Sequence, residues 1–104
     1  MATVKATILL PIKDNDGRDL ASEIEETRNQ LFFVFRAYTS EGQVRGTYEM
    51  ADGRQASDLH QKFTLLLDES RLSALEEVIR SFKAKTTQEA MYLEIQHGVE
   101  FRLI

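Results

Sequence analysis

The side chains whose types and spacing could do chemistry gather first in Lys13-Asp14-Asn15-Asp16-Gly17-Arg18. Two carboxylates this close could hold Mg²⁺, which uses one or two carboxylates together with substrate phosphates. That chemistry would be a small metal-dependent phosphoesterase or nuclease acting through Asp14 and Asp16. A calcium loop of the EF-hand kind fails on the same residues. With Asp14, Asp16, Gly17 and Glu23 in the third, fifth, sixth and twelfth positions, the first falls on Ile12, which has no side-chain oxygen. The simplest reading is a polar turn whose Asp and Asn side chains satisfy backbone donors. No resident metal is expected.

A second group is Gln88-Glu89, ahead of a segment with strand-like alternation. A small-ligand sensor would have its site at Gln88 and Glu89; Asp14, Asn15 and Asp16 are the other candidate ligand-binding residues. His60 and His97 lack the paired spacing of a zinc site. Ser57-Asp58-Leu59-His60 holds the residue types of a catalytic triad, but neighbours in one strand point to alternate faces. There is no Gly-rich phosphate loop. No residue is assigned a catalytic role and no cofactor is expected.

Composition narrows the classes further. At 104 residues, 42% hydrophobic and 29% charged, the chain reads as one globular domain over residues 1–104. Charge is 13 basic against 17 acidic, a net of −4, which argues against nucleic acid as a partner. Asp14, Asp16, Asp19, Glu23, Glu25 and Glu26 concentrate that acidity in one stretch. The absence of cysteine removes disulfides and thiolate nucleophiles. The longest apolar run, Ile8 to Ile12, is far below the roughly 18 residues of a membrane span. No signal-peptide pattern opens the chain, so no membrane partner and a cytoplasmic location are expected.

These groups need elements to position them. Val4, Ala6, Ile8, Leu10 and Ile12 alternate as one face of a strand over 3–12, with Pro11 at its end. Asp19 is a helix-start residue, and Ser22 with Glu25 offers a second start of capping-box type. Leu20, Ile24, Thr27 and Leu31 predict a helix over 19–32. Phe32-Phe33-Val34-Phe35 fits a helix end or a strand start, and a strand over 33–39 that resumes at 46–50 is expected. Asp52-Gly53 marks a hairpin into a strand over 56–67. A helix over 69–84, a strand over 90–96, a turn at His97-Gly98 and a short strand over 99–103 follow. The order β-α-β-β-α-β is the ferredoxin-like signature of an α+β fold, an antiparallel sheet with two helices on one face and here a short C-terminal extra strand.

Leu9-Leu10-Pro11-Ile12-Lys13-Asp14-Asn15-Asp16-Gly17-Arg18 and Gln88-Glu89-Ala90-Met91-Tyr92 resemble the opening and closing motifs of a family of short bacterial proteins with no known activity. The resemblance implies a small α+β domain and supplies no catalytic residue. This chain has Phe32-Phe33-Val34 where the family has Phe-Gly-Gly, and Thr86-Thr87 where it often has Phe-Gly.

The expected function is therefore a non-catalytic binding or self-association domain. By strand alternation Leu9, Leu66 and Tyr92 point away from the helices, with Thr7 and Thr64. Contiguous exposed apolar patches mark interaction surfaces. A homodimer through this face or the terminal strand's edge is expected, with another protein as the alternative partner.

Overall fold

The order of elements in the computed structural model, which describes residues 2–104, is β1 (Thr3–Pro11), α1 (Ala21–Phe35), β2 (Thr39–Glu49), β3 (Gln55–Asp68), a single 3₁₀ turn (Glu69–Arg71), α2 (Leu72–Lys83) and β4 (Tyr92–Gln96). The strands form one antiparallel sheet in the order β2-β3-β1-β4. This is the ferredoxin-like α+β arrangement that the order of elements in the sequence predicts. Val4, Ala6, Ile8 and Leu10 of β1 and Phe63, Leu65 and Leu67 of β3 are buried beneath the two helices. The helices complete the same core with Ile24 and Leu31 on α1, and Leu75, Val78, Ile79 and Phe82 on α2. Among the described residues no helix is long and apolar enough to cross a membrane.

Helix α1 begins where the Asp19 carboxylate accepts a hydrogen bond from the Ala21 N–H at 2.7 Å. The Ser22–Glu25 start is not used, and the Ser22 hydroxyl contacts Glu23 instead. Phe32 to Phe35 finish the helix and do not start a strand. The reason is burial. Helical spacing lays Val34 and Phe35 against the core beside fully buried Leu31, while Phe33 stays 73% exposed. Arg71 then fastens this end, donating to the Val34 carbonyl at 2.8 Å with its guanidinium over the Phe35 ring. The chain leaves through Arg36 in the left-handed region, at φ 64°.

Strand β2 consequently starts at Thr39 and runs unbroken to Glu49, with one register shift between Ser40 and Gln43. Strand β1 pairs with β3 only from His60 to Asp68. Residues 45–59 are thus a two-stranded arm beyond the covered sheet, and the molecule extends 47 Å along its longest axis. The arm closes through Met50–Arg54, with Gly53 at φ +86° and the Asp52 carboxylate accepting from the Arg54 N–H.

Two further expectations are corrected. Val99 to Leu103 form no strand. After Gly98 the segment turns toward the open sheet face, where Val99 and Phe101 share a shallow cavity with Lys5, Thr64 and Leu66. Leu9, Leu66 and Tyr92 lie on the open face as alternation predicts, but they do not form one cluster. Leu9 sits opposite Tyr92 and Lys62, whereas Leu66 sits opposite Lys5, four positions along β1. At about 3.3 Å per residue that is roughly 13 Å, with Thr7 and Thr64 between.

Candidate functional site

The opening loop folds on itself before it meets anything else. Asp14 N–H donates to the Arg18 carbonyl at 2.8 Å, and Gly17 N–H donates to the Asp14 carbonyl at 2.9 Å. Gly17 adopts φ +87°, a conformation glycine reaches without the Cβ clash of other residues. The Asp16 carboxylate accepts from the Arg18 N–H. This loop turns the Asp14 side chain inward, where it is completely buried.

Its partners come from the connection between α2 and β4. The Thr87 hydroxyl donates to Oδ1 of Asp14 at 2.7 Å, and the Thr87 N–H donates to Oδ2 at 2.9 Å. Gln88 Nε2 donates at 3.0 Å and the Asn15 N–H at 2.9 Å. Arg18 Nη2 stands 3.4 Å from Oδ2 and also donates to the Lys85 carbonyl at 2.9 Å. Asn15 Nδ2 donates to the Thr87 carbonyl. The two stretches that carry the sequence motifs are therefore joined by one carboxylate clip.

The electrostatics follow from those donors. Burial pushes the Asp14 carboxyl up, but the donors from Thr87, Gln88 and Asn15 outweigh it and hold the group well below the usual carboxylate range. Arg18 is held above its ordinary value, first by its hydrogen bond to Glu23 and further by the charges of Glu23 and Asp14. A carboxylate this committed to N–H and O–H donors has little left to offer a cation or a substrate proton. No group of three His, Cys, Asp or Glu suited to a metal occurs among the described residues.

Of the sequence candidates, Asp14, Asn15 and Gln88 are brought together. Asp16 contributes to the loop from its exposed side, and Glu89 is exposed outside the clip. Ser57 and Asp58 part company as strand neighbours do: Ser57 meets the Thr47 hydroxyl, and Asp58 accepts from the Tyr48 phenol. His97 stands by Glu69 at 3.7 Å, far along the chain from both. Thr87 and Arg18 escaped the sequence reading. The available signals were Thr86-Thr87 in place of Phe-Gly and an arginine closing the loop motif.

A cleft of about 420 Å³ opens beside the clip, at the root of the arm. Pro11, Ile12 and Leu59 give it apolar surface, and Lys13, Asn15 and Gln88 form the loop side. Arg45, Tyr48 and Asp58 line it from the arm. The Tyr48 phenol is held above its ordinary value first by its hydrogen bond to Asp58, then by the charge of that carboxylate, and least by burial.

No protein-family model matches the chain, and no curated protein matches it. Solved structures do. CutA1 from Oryza sativa superposes with a TM-score of 0.71 at 12% identity, over 98% of this chain and 84% of that one. A Bacillus cereus protein related to NIF3 superposes with a TM-score of 0.60 at 13% identity, over 92% of this chain but 25% of that one. This chain thus spans about a quarter of the NIF3-related protein. At such identities the likeness is one of fold, and it agrees with the ferredoxin-like order read from the strands and helices.

Proposed function

We propose that the protein is a non-catalytic binding domain that works by self-association, as a homodimer. The observation that carries this reading is the edge of β2. It is the last strand of the sheet, it is 11 residues long, and almost all of it is exposed. A long open edge presents a row of unpaired backbone donors and acceptors that can template another strand. Tyr48 along the arm and Met50 at its tip add exposed apolar surface. Val99 to Ile104 supply a matching strand: their side chains alternate, they pair with nothing in their own sheet, and Leu103 is 93% exposed. Reciprocal pairing of that segment with the β2 edge of a second copy gives a closed, two-fold dimer. The open face carrying Leu9, Leu66 and Tyr92 is the weaker candidate, because Lys5 and Lys62 interrupt it and the C-terminal segment overlies part of it.

Within this reading the two stretches that resemble motifs of the short bacterial family serve as a structural clip beside the arm's root. The phosphoesterase alternative loses its support with Asp14, whose oxygens are taken by donors. Sedimentation equilibrium across a wide concentration range tests the proposal. The expected mass is twice 11.9 kDa. Truncation after Gly98 is expected to give a folded monomer, and the pair Leu9→Lys and Leu66→Lys to leave the dimer intact. Loss of the dimer in that pair alone would move the interface to the open face. A wild-type monomer at high micromolar concentration would overturn self-association.

A further inference from the structure

The cleft at the arm's root holds two cations without counter-ions. Lys13 and Arg45 both line it, and neither makes an ion pair among the described residues. Its two carboxylates are in the opposite condition. Asp14 accepts from Thr87, Gln88, Asn15 and Arg18, and Asp58 accepts from the Tyr48 phenol at 3.1 Å. Asp14's oxygens are therefore taken and Asp58 is engaged through Oδ2, while Lys13 and Arg45 keep all their donors free of any ion pair. A lysine ammonium offers three donors and a guanidinium five, with no acceptor on either. A group that is negatively charged and only accepts is the complement. A metal cation would instead face two charges of its own sign, with the Asp14 carboxylate already in use.

The remaining lining says what the anion is attached to. Pro11, Ile12 and Leu59 provide apolar surface beside the Tyr48 ring. The volume of about 420 Å³ lies within the range of small-molecule sites. We propose that this cleft binds a small organic anion, a carboxylate or phosphate group on an apolar body, with Lys13 and Arg45 holding the charged group. The guanidinium of Arg45 suits either head group, since its planar fork matches both. All the contacts lie on one chain, so the proposal stands independently of self-association.

The test is a titration of the isotopically labelled full chain with phenyl phosphate, benzoate and inorganic phosphate, followed by backbone amide shifts. Phenyl phosphate or benzoate is expected to move the amides of Lys13, Asn15, Arg45 and Gln88 along one saturating curve, with a Kd of about 1 mM or tighter. The tighter of the two ligands identifies the head group. Lys13→Gln and Arg45→Gln, both at exposed side chains, are each expected to weaken binding about tenfold. Arg80→Gln, on an exposed face of α2 and already paired with Glu76 and Glu77, is expected to change nothing. Three results would overturn the proposal: no saturation with either organic ligand, an equal loss in the Arg80→Gln variant, or inorganic phosphate binding as tightly as phenyl phosphate. The first removes the site, the second reduces it to general surface charge, and the third removes the organic body.

Discussion

Asp14 couples two segments 73 positions apart in sequence through a single side chain, and this makes its protonation a structural event. Its folded-state pKa lies below the unfolded value of about 3.9. The unfolded chain therefore takes up the proton first on acidification. The stability this supplies is full above that value and drains as pH falls through the folded pKa. Asp68, lowered by the Ser70 hydroxyl and N–H, acts in the same direction. We expect Asp14→Asn to lower Tm at neutral pH, because an amide turns N–H groups toward the Thr87 and Gln88 donors. The gap to wild type is expected to close as pH falls below about 4, and Tm measured against pH reads it. Thr87→Val, which keeps the shape and removes the hydroxyl, is expected to cost about 1.5 kcal/mol, the lower end for a hydrogen bond to a charged group. Thr87→Ser is expected to recover much of that loss in the same denaturant titration. Asp14, Asn15 and Gln88 were legible in the sequence as polar side chains in motif-like stretches. Their meeting was not, nor was Thr87 as the main donor, because periodicity says nothing about which loops touch across a fold.

At the scale of elements the strong amphipathic patterns were legible and the junctions were not. Alternation located β1 and β3, and the Leu75, Val78, Ile79 and Phe82 stripe located α2. Phe32 to Phe35 misled because aromatics favour strands when read locally. Tertiary burial of Leu31, Val34 and Phe35 decided for the helix. Paired substitutions check that register. Leu31→Ala, fully buried, is expected to cost about 3 kcal/mol, while Phe33→Ala, two residues on and exposed, is expected to stay within about 0.5 kcal/mol. A strand over the same residues would put both side chains on one face, and equal costs would contradict the helix. The last expected strand failed for the converse reason. Val99, Phe101 and Leu103 alternate correctly, but alternation specifies a strand only when a neighbour is there to pair with it.

Across the whole molecule stability is distributed unevenly, and the arm lies at the weak end. From His60 to Thr64, β3 is flanked by strands on both sides, from there to Asp68 it keeps β1 beside it, and it buries Phe63, Leu65 and Leu67. From Gln55 to Leu59 it has only β2 beside it, and most of those residues are exposed. A two-stranded ribbon without a buried face is marginal on its own. Local opening is easiest where few buried contacts hold the backbone. In dilute solution the amides of residues 45–59 are therefore expected to exchange with deuterium far faster than those of β1 and of β3 beyond His60. Self-association changes this in one direction only. Pairing at the β2 edge adds backbone partners to the arm, so protection across Thr39–Glu49 is expected to rise with protein concentration while β1 stays constant. Residues 99–104 are expected to gain protection over the same range if they supply the pairing strand, as proposed. An arm that stays equally labile from low to high micromolar concentration would place any interface off this edge. A rise confined to Tyr92–Gln96 would instead assign the contact to the opposite edge of the sheet.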